Sequence, residues 1–269
     1  MILLSLVQLA YFNKRFLKET NKQFDNTLYS VSKNLQIYLE HLKYLSLVPL
    51  LNDDIKEYMT YLNEADKTQE NDQYNRYHYS YMYSKTIQKL LYSSPDGIKG
   101  VLFIPTDNET SYFVSRYKAS INEVPGYKAA TQERCSEAVQ ANGQAVLTKI
   151  HTVPYYDNQP VFSVSRLIKD IDRKKDIGII KVDASASFIK DIFDNIEISP
   201  HSVLMLVDED KNIIYSTSGQ SKQLLESYTN STGNLKYNKD TYYVTTSDVP
   251  ETPWKFIYFT SKNDVTQQT

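Results

Sequence analysis

The chain has 269 residues, of which 30 are Lys or Arg and 32 are Asp or Glu, giving a formal net charge of −2 with no long basic run. Nucleic acid is thereby excluded as a partner, because phosphate binding needs a concentrated basic surface. A single cysteine, Cys135, excludes a disulfide framework or a cysteine metal site within the chain, and the four histidines show neither an i,i+4 pair nor HExxH. Glycine is scarce at 7 residues and tyrosine abundant at 23, and no P-loop, GxGxxG or GxSxG occurs. These features predict no cofactor, no metal and no catalytic residues in this chain.

The first segment, Met1 to Phe12, is almost wholly apolar. At about 1.5 Å per residue it spans roughly 18 Å, against about 30 Å for a bilayer core. It reads as the end of a transmembrane helix, or alternatively as the start of an ordinary amphipathic one; Lys14, Arg15 and Lys18 follow at once. From Phe24 the apolar residues recur at alternating gaps of four and three, through Leu28, Val31, Leu35, Tyr38, Leu42 and Leu45, up to Pro49. This seam predicts one long helix, lying either along the back of a sheet or in a dimeric coiled coil.

A helix is predicted from Asp53 to Leu62, then a polar loop from Glu64 to Gln73. The next segment carries tyrosine at 74, 77, 79, 81 and 83. A period of two would make it a strand; a helical period joins Tyr79, Tyr83, Ile87, Leu90 and Leu91 into one apolar stripe. Because the turn "SSPDG" ends it and a helix precedes it, the helical reading is preferred, with Tyr77 and Tyr81 outward.

From Ile98 the chain changes character. Strands are predicted at "IKGVLFIP", "SYFVS", "QAVLTKIH", "PVFSVSRLI" and "IGIIKVD", with a helix inserted near Gln132 to Ala141. An internal echo follows: "VLFIPTDNETSYFVS" and "VLMLVDEDKNIIYST" match at an offset of 101 residues, which sets Asp107 on Asp208 and Ser115 on Ser216. In the second copy a short helix is predicted near Lys222 to Tyr228, then a hairpin of "TYYVTTSDV" and "WKFIYFTS". The fold class is α+β, with two small antiparallel sheets in tandem behind one long N-terminal helix.

A long helix leading from an apolar start, two tandem sheets, and a chain end soon after "TPWKFIYFTSKN" together resemble the double Cache sensor domain. Its sheets are PAS-like, and the chain looks most like the extracytoplasmic part of YesM-like sensor histidine kinases of Gram-positive bacteria. The resemblance implies three parts: residues 1–48 as the end of a membrane helix and signalling helix, 49–195 as a membrane-distal module with the ligand pocket, and 196–269 as a membrane-proximal module. It implies a cell-membrane protein with this domain extracytoplasmic, likened to a homodimeric receptor whose kinase lies elsewhere. A chemoreceptor ectodomain, or a docking module for a solute-binding protein, is the alternative.

A subset of double Cache domains that binds amino acids carries an Arg and a Trp-Tyr pair, a Pro-Tyr-x-Asp segment and a later Asp. Here Pro154, Tyr155 and Asp157 match in "PYYD", and Asp183 matches in "IIKVD", 28 residues after Tyr155. For the earlier part the chain offers Arg116 and Tyr117, then Tyr127, while its single tryptophan, Trp254, falls in the other module. The YesM-like group is associated with carbohydrate uptake. The implied ligand is a small molecule: a sugar, an amino acid or a carboxylate.

Each candidate has a ligand role and a structural one. Asp183 can accept hydrogen bonds from a ligand amine or hydroxyl, or cap the helix that follows it. Tyr155 and Tyr156 can close a pocket as a lid, with Asp157 beside them, or be ordinary surface tyrosines. Arg116 can fork onto an anionic ligand or end a strand in solvent. Tyr127 and Tyr112 complete the candidate set.

Overall fold

The alternating apolar spacing produces one continuous helix, α1 (Ile2–Leu51), with Pro49 inside its final turn. Leu28, Val31, Leu35, Tyr38, Leu42 and Leu45 are all buried within a single copy of the chain. This part of the seam is therefore covered without a second copy of the chain. The computed structural model describes residues 2–64, 73–107, 109–118, 121–125, 127, 132–194, 196–228 and 233–267, and for most of 2–24 the backbone alone. Among the described residues no helix is long and apolar enough to cross a membrane. Most of the predicted polar loop, 65–72, lies outside the described residues.

Two compact units are present: residues 38–188, and residues 1–37 with 189–269. In the first, Asn52 starts α2 (Asp53–Glu64) by accepting the Ile55 N–H at 2.9 Å, and Asp53 and Asp54 place negative charge on the first turn. The tyrosine-rich segment is α3 (Gln73–Tyr92), so the helical period prevails over the strand period. Tyr83, Ile87 and Leu91 are buried, whereas Tyr74, Tyr77 and Tyr81 are exposed. Tyr79, on the margin of the stripe, stacks on Tyr61 of α2 with ring centroids 4.2 Å apart.

The sheet of this unit comprises β1 (Ile98–Pro105), β2 (Thr110–Ser115), β3 (Ile121–Pro125), β4 (Val146–Thr152), β5 (Pro160–Asp170) and β6 (Lys175–Ser185). Their order is β3-β2-β1-β6-β5-β4 and every pairing is antiparallel. The edge strand β3 was not expected, since "INEVP" has little apolar content. Helix α4 (Gln132–Gln140) lies where a helix was predicted. One face of the sheet carries Phe103, Tyr112 and Phe162. There Tyr83 of α3 packs on Phe103 at 6.1 Å, and Tyr38 of α1 lies 6.3 Å from Phe162 and stacks on Phe188 at 4.0 Å. The other face is left to the short helices and loops.

In the second unit, α5 (Ser187–Phe193) precedes β7 (Val203–Val207), β8 (Ile213–Ser216), α6 (Ser221–Glu226), β9 (Gly233–Tyr237), β10 (Asp240–Asp248), β11 (Lys255–Ser261) and α7 (Lys262–Gln267). The sheet runs β8-β7-β11-β10-β9. Leu224 and Leu225 of α6 pack on Val203, Met205, Ile257 and Phe259. On the opposite face Phe193 stacks on Tyr215 at 4.6 Å and meets Phe256 edge-on at 5.6 Å. The start of β7 is tied to the chain end, because Asp264 accepts hydrogen bonds from Ser202 Oγ (2.6 Å) and His201 Nδ1 (2.7 Å).

Leaving out the edge strand β3, both sheets have one order: second, first, fifth, fourth, third. The internal echo is thus a repeat of topology. It is not a repeat of register. Phe103 pairs with Tyr112, but Leu204, its counterpart at the 101-residue offset, hydrogen-bonds Thr217 and not Ile213. The two aspartates also differ: Asp208 closes its own turn through the N–H groups of Asp210 and Asn212, whereas Asp107 pairs with Lys175 at 2.8 Å.

Candidate ligand-binding site

Strand pairing builds a polar row across the first sheet. Ser115 pairs with Gly100, Gly100 with Asp183, Asp183 with Ser163, and Ser163 with Thr148, so these five residues share the face opposite to Phe103 and Tyr112. A carboxylate in such a row, fully buried, needs donors. Asp183 has three: Ser163 Oγ and Lys181 Nζ, each 2.6 Å from Oδ1, and the Tyr155 hydroxyl, 2.7 Å from Oδ2. It does not cap α5; the Ser187 N–H donates instead to Ser185 Oγ.

Lys181 was not recognised from sequence, although the signal was there. Two residues before Asp183 in a strand, it must share the same face. Its side chain is only 4% exposed. The ammonium also donates to Tyr155 Oη at 2.9 Å and lies 5.5 Å from the centroid of the Tyr155 ring and 5.9 Å from that of Tyr127. The buried charge is thereby balanced by one carboxylate, one hydroxyl and two aromatic faces.

The tyrosines of "PYYD" are held by a short 3-10 turn, Pro154–Tyr156, with proline pre-set at its start and Asp157 in the left-handed region at φ 52. Tyr155 packs on Phe113 at 4.5 Å and on Tyr127 at 5.5 Å. Burial raises the Tyr155 hydroxyl well above the usual tyrosine range, and the charge of Asp183 adds to the shift. The same two causes raise Tyr156. A β-carbon at Gly100 would lie 2.7 Å from Tyr156 Oη and 2.5 Å from the Val114 carbonyl, so the absence of a side chain there is what admits the Tyr156 hydroxyl.

Above this floor, among the described residues, lies a cavity of about 490 Å³, lined by Phe113, Ser115, Tyr117, Lys118, Glu123, Val124, Pro154, Tyr155, Tyr156, Asp157 and Gln159. Its volume suits a small organic molecule. Tyr155, Tyr156 and Asp157 line it directly, whereas Asp183 and Lys181 sit behind Tyr155, and Tyr127 braces that ring.

Two predicted residues stand apart from this group. Arg116 donates through Nη1 to the Pro95 carbonyl at 2.7 Å and pairs with Asp96 at 3.2 Å, stapling the end of β2 to the preceding turn. Tyr112 is next to Phe113 in β2 and therefore faces the helices, stacked with Phe103 at 6.3 Å.

A family model described as a Cache domain matches residues 10–269. No protein with a curated functional description matches the chain in sequence. Among solved structures, the sensory domain of the Campylobacter jejuni chemoreceptor Tlp3 with isoleucine bound is similar at 13% identity and a TM-score of 0.52, covering 90% of this chain and 96% of that one. The extracellular domain of the candidate histidine kinase rpHK1S-Z16 is similar at 12% identity and a TM-score of 0.60, covering 94% and 99%. The ligand-binding domain of the Pseudomonas aeruginosa PAO1 amino acid chemoreceptor PctC, in complex with GABA, is similar at 14% identity and a TM-score of 0.59, covering 90% and 99%. At these identities the neighbours share the fold, and the family match extends over nearly the whole length. With its long helix and two sheets of one strand order, the chain belongs to the double Cache domains.

Proposed function

We propose that this chain is the extracytoplasmic sensing domain of a transmembrane receptor, binding a small molecule in the unit formed by residues 38–188. The supporting observation is the 490 Å³ cavity, whose wall is the Tyr155–Tyr156 turn and whose floor is anchored on the buried Asp183. A ligand seated there touches the turn and the end of β2 together. Helix α1 contributes residues to both compact units and supplies a continuous element along which a change at the pocket passes on. Such transmission requires that the ligand favour one of two arrangements.

Both kinds of receptor named among the structural neighbours, a histidine kinase and chemoreceptors, are compatible outputs. The sensor-kinase reading, and within it the YesM-like one, is preferred on the resemblance of the sequence. Thermal melting against sugars, amino acids, carboxylates and purines tests the sensing role, since a ligand that binds the folded state raises the midpoint by mass action. A shift that is lost on mutation of the Tyr155–Tyr156 turn supports the pocket. No shift with any compound favours docking of another protein, such as a solute-binding protein.

A further inference from the structure

The Lys181–Asp183 pair raises a question of specificity. A carboxylate in a polar row beneath a cavity is a natural seat for a ligand ammonium, yet here the seat is taken. Lys181 Nζ is 2.6 Å from Asp183 Oδ1, under the rings of Tyr155 and Tyr127, and the pair is sealed with exposures of 4% and 0%. Ser163 Oγ also donates to Oδ1, and the Tyr155 hydroxyl donates to Oδ2. A second ammonium entering beside Asp183 would meet Lys181 and find no unbalanced negative charge. Displacing Lys181 would cost the burial site of its own charge.

The mouth of the cavity narrows the choice further. Among the described residues its lining carries the cation Lys118 and the anions Glu123 and Asp157, and Lys99 reaches the lining residue Gln159 at 3.4 Å, so these groups leave no excess positive charge to favour a carboxylate. The rest of the lining is aromatic and apolar, Phe113, Tyr117, Tyr155 and Tyr156 with Val124 and Pro154, interleaved with the neutral hydrogen-bonding groups of Ser115 and Gln159. These surfaces match a molecule that presents C–H faces to the rings and hydroxyls to the polar groups.

Resting on the sensing role proposed above, we infer that Lys181 is an internal cation that fills the ammonium seat at Asp183, so that the pocket selects uncharged polyhydroxylated ligands, sugars or polyols, over amino acids and amines. Lys181 is then a specificity-determining residue that need not touch the ligand.

The test compares the wild-type domain with Lys181→Met, which keeps the aliphatic stem and removes the charge, and with Lys181→Met/Asp183→Asn, which removes both charges. Melting midpoints and titration calorimetry are measured with mono- and oligosaccharides, polyols, L-amino acids, and methyl- to butylammonium chloride at matched ionic strength. Expected are binding of one or more sugars or polyols by the wild type, no response to amines, and in Lys181→Met a gain of alkylammonium binding of about ten- to hundredfold, as a charge-assisted hydrogen bond supplies. The double variant shows no such gain. If Lys181→Met is unfolded alone, recovery of its folded signal on adding an alkylammonium salt, and not on adding NaCl, is the equivalent result. An amino acid or amine that binds wild type and Lys181→Met equally overturns the inference and leaves the sensing role standing. No response of the wild type to any compound, with no gain in Lys181→Met, overturns both.

Discussion

Tyr155 and Asp183, 28 residues apart in the chain, are joined by a 2.7 Å hydrogen bond that links the turn at the cavity to the floor of the sheet. Tyr155 also accepts from Lys181 at 2.9 Å, so a single hydroxyl serves both members of the ion pair. In Tyr155→Phe the ring keeps its packing on Phe113 while the hydroxyl is lost. The expected cost is about 1–3 kcal/mol, as for a buried polar group left short of one partner. Urea unfolding measures it, and a change under about 0.3 kcal/mol contradicts the bridging role.

The ion pair itself is tested by a double-mutant cycle. Asp183→Ala or Lys181→Met alone leaves the other charge buried and unbalanced, and each should destabilise by about 3–5 kcal/mol. Removing both should cost clearly less than the two losses together, giving a favourable coupling energy. Additive losses would show that the two charges do not compensate each other in the fold.

Alkaline pH should unfold the domain through its buried tyrosines. In the folded protein burial, with the charge of Asp183, holds the hydroxyls of Tyr155 and Tyr156 above the usual range, and burial alone does so for Tyr83. Below about pH 10 these groups are neutral in both states and stability does not depend on them. Above it, the unfolded chain releases protons that the folded one retains, so stability falls as pH rises. Phenolate absorbance followed with circular dichroism should show part of the tyrosine titration coinciding with unfolding. Complete titration in the still-folded protein would contradict this.

Gly100→Ala probes the notch that admits Tyr156. The new methyl would lie within 2.5–2.7 Å of the Val114 carbonyl, the Phe113 ring and the Tyr156 hydroxyl, so backbone or turn must move. The expected loss is about 1–3 kcal/mol, with weaker ligand binding. Unchanged stability and affinity would mean that the Tyr156 side chain is not held there.

The two sides of α3 should respond oppositely. Tyr83 is fully buried against Phe103, and Tyr83→Ala is expected to cost about 3–5 kcal/mol. Tyr77 is 70% exposed, and Tyr77→Ala should change stability by no more than about 0.5 kcal/mol. Comparable effects from both would contradict the assignment of faces.

The helices and most strands were legible in the sequence because their signal is local. The seam from Leu28 to Leu45, the stripe of Tyr83, Ile87 and Leu91, and the runs that became β1, β2, β5 and β6 each follow from the period with which apolar side chains recur. The edge strands β3 and β9 were missed for the same reason: "INEVP" and "GNLKY" hold few apolar residues, and each becomes a strand only because β2 or β10 offers it a row of backbone partners. Of the candidate site, "PYYD" and Asp183 could be read from spacing. Which groups they meet could not.

That question is decided by pairing between distant strands. A shift of one residue in β2 exchanges the places of Tyr112 and Phe113, and the registers of β1, β2, β5 and β6 together place Gly100, Asp183 and Ser163 in one row. The turn at Pro95 and Asp96, brought beside the end of β2, takes Arg116 away from the cavity. Sequence by itself determined the elements and the α+β class, since periodicity depends on neighbours along the chain. Only the tertiary structure decided that Asp183 meets Lys181 and Tyr155 in the dark of the sheet, because burial and charge compensation depend on neighbours in space.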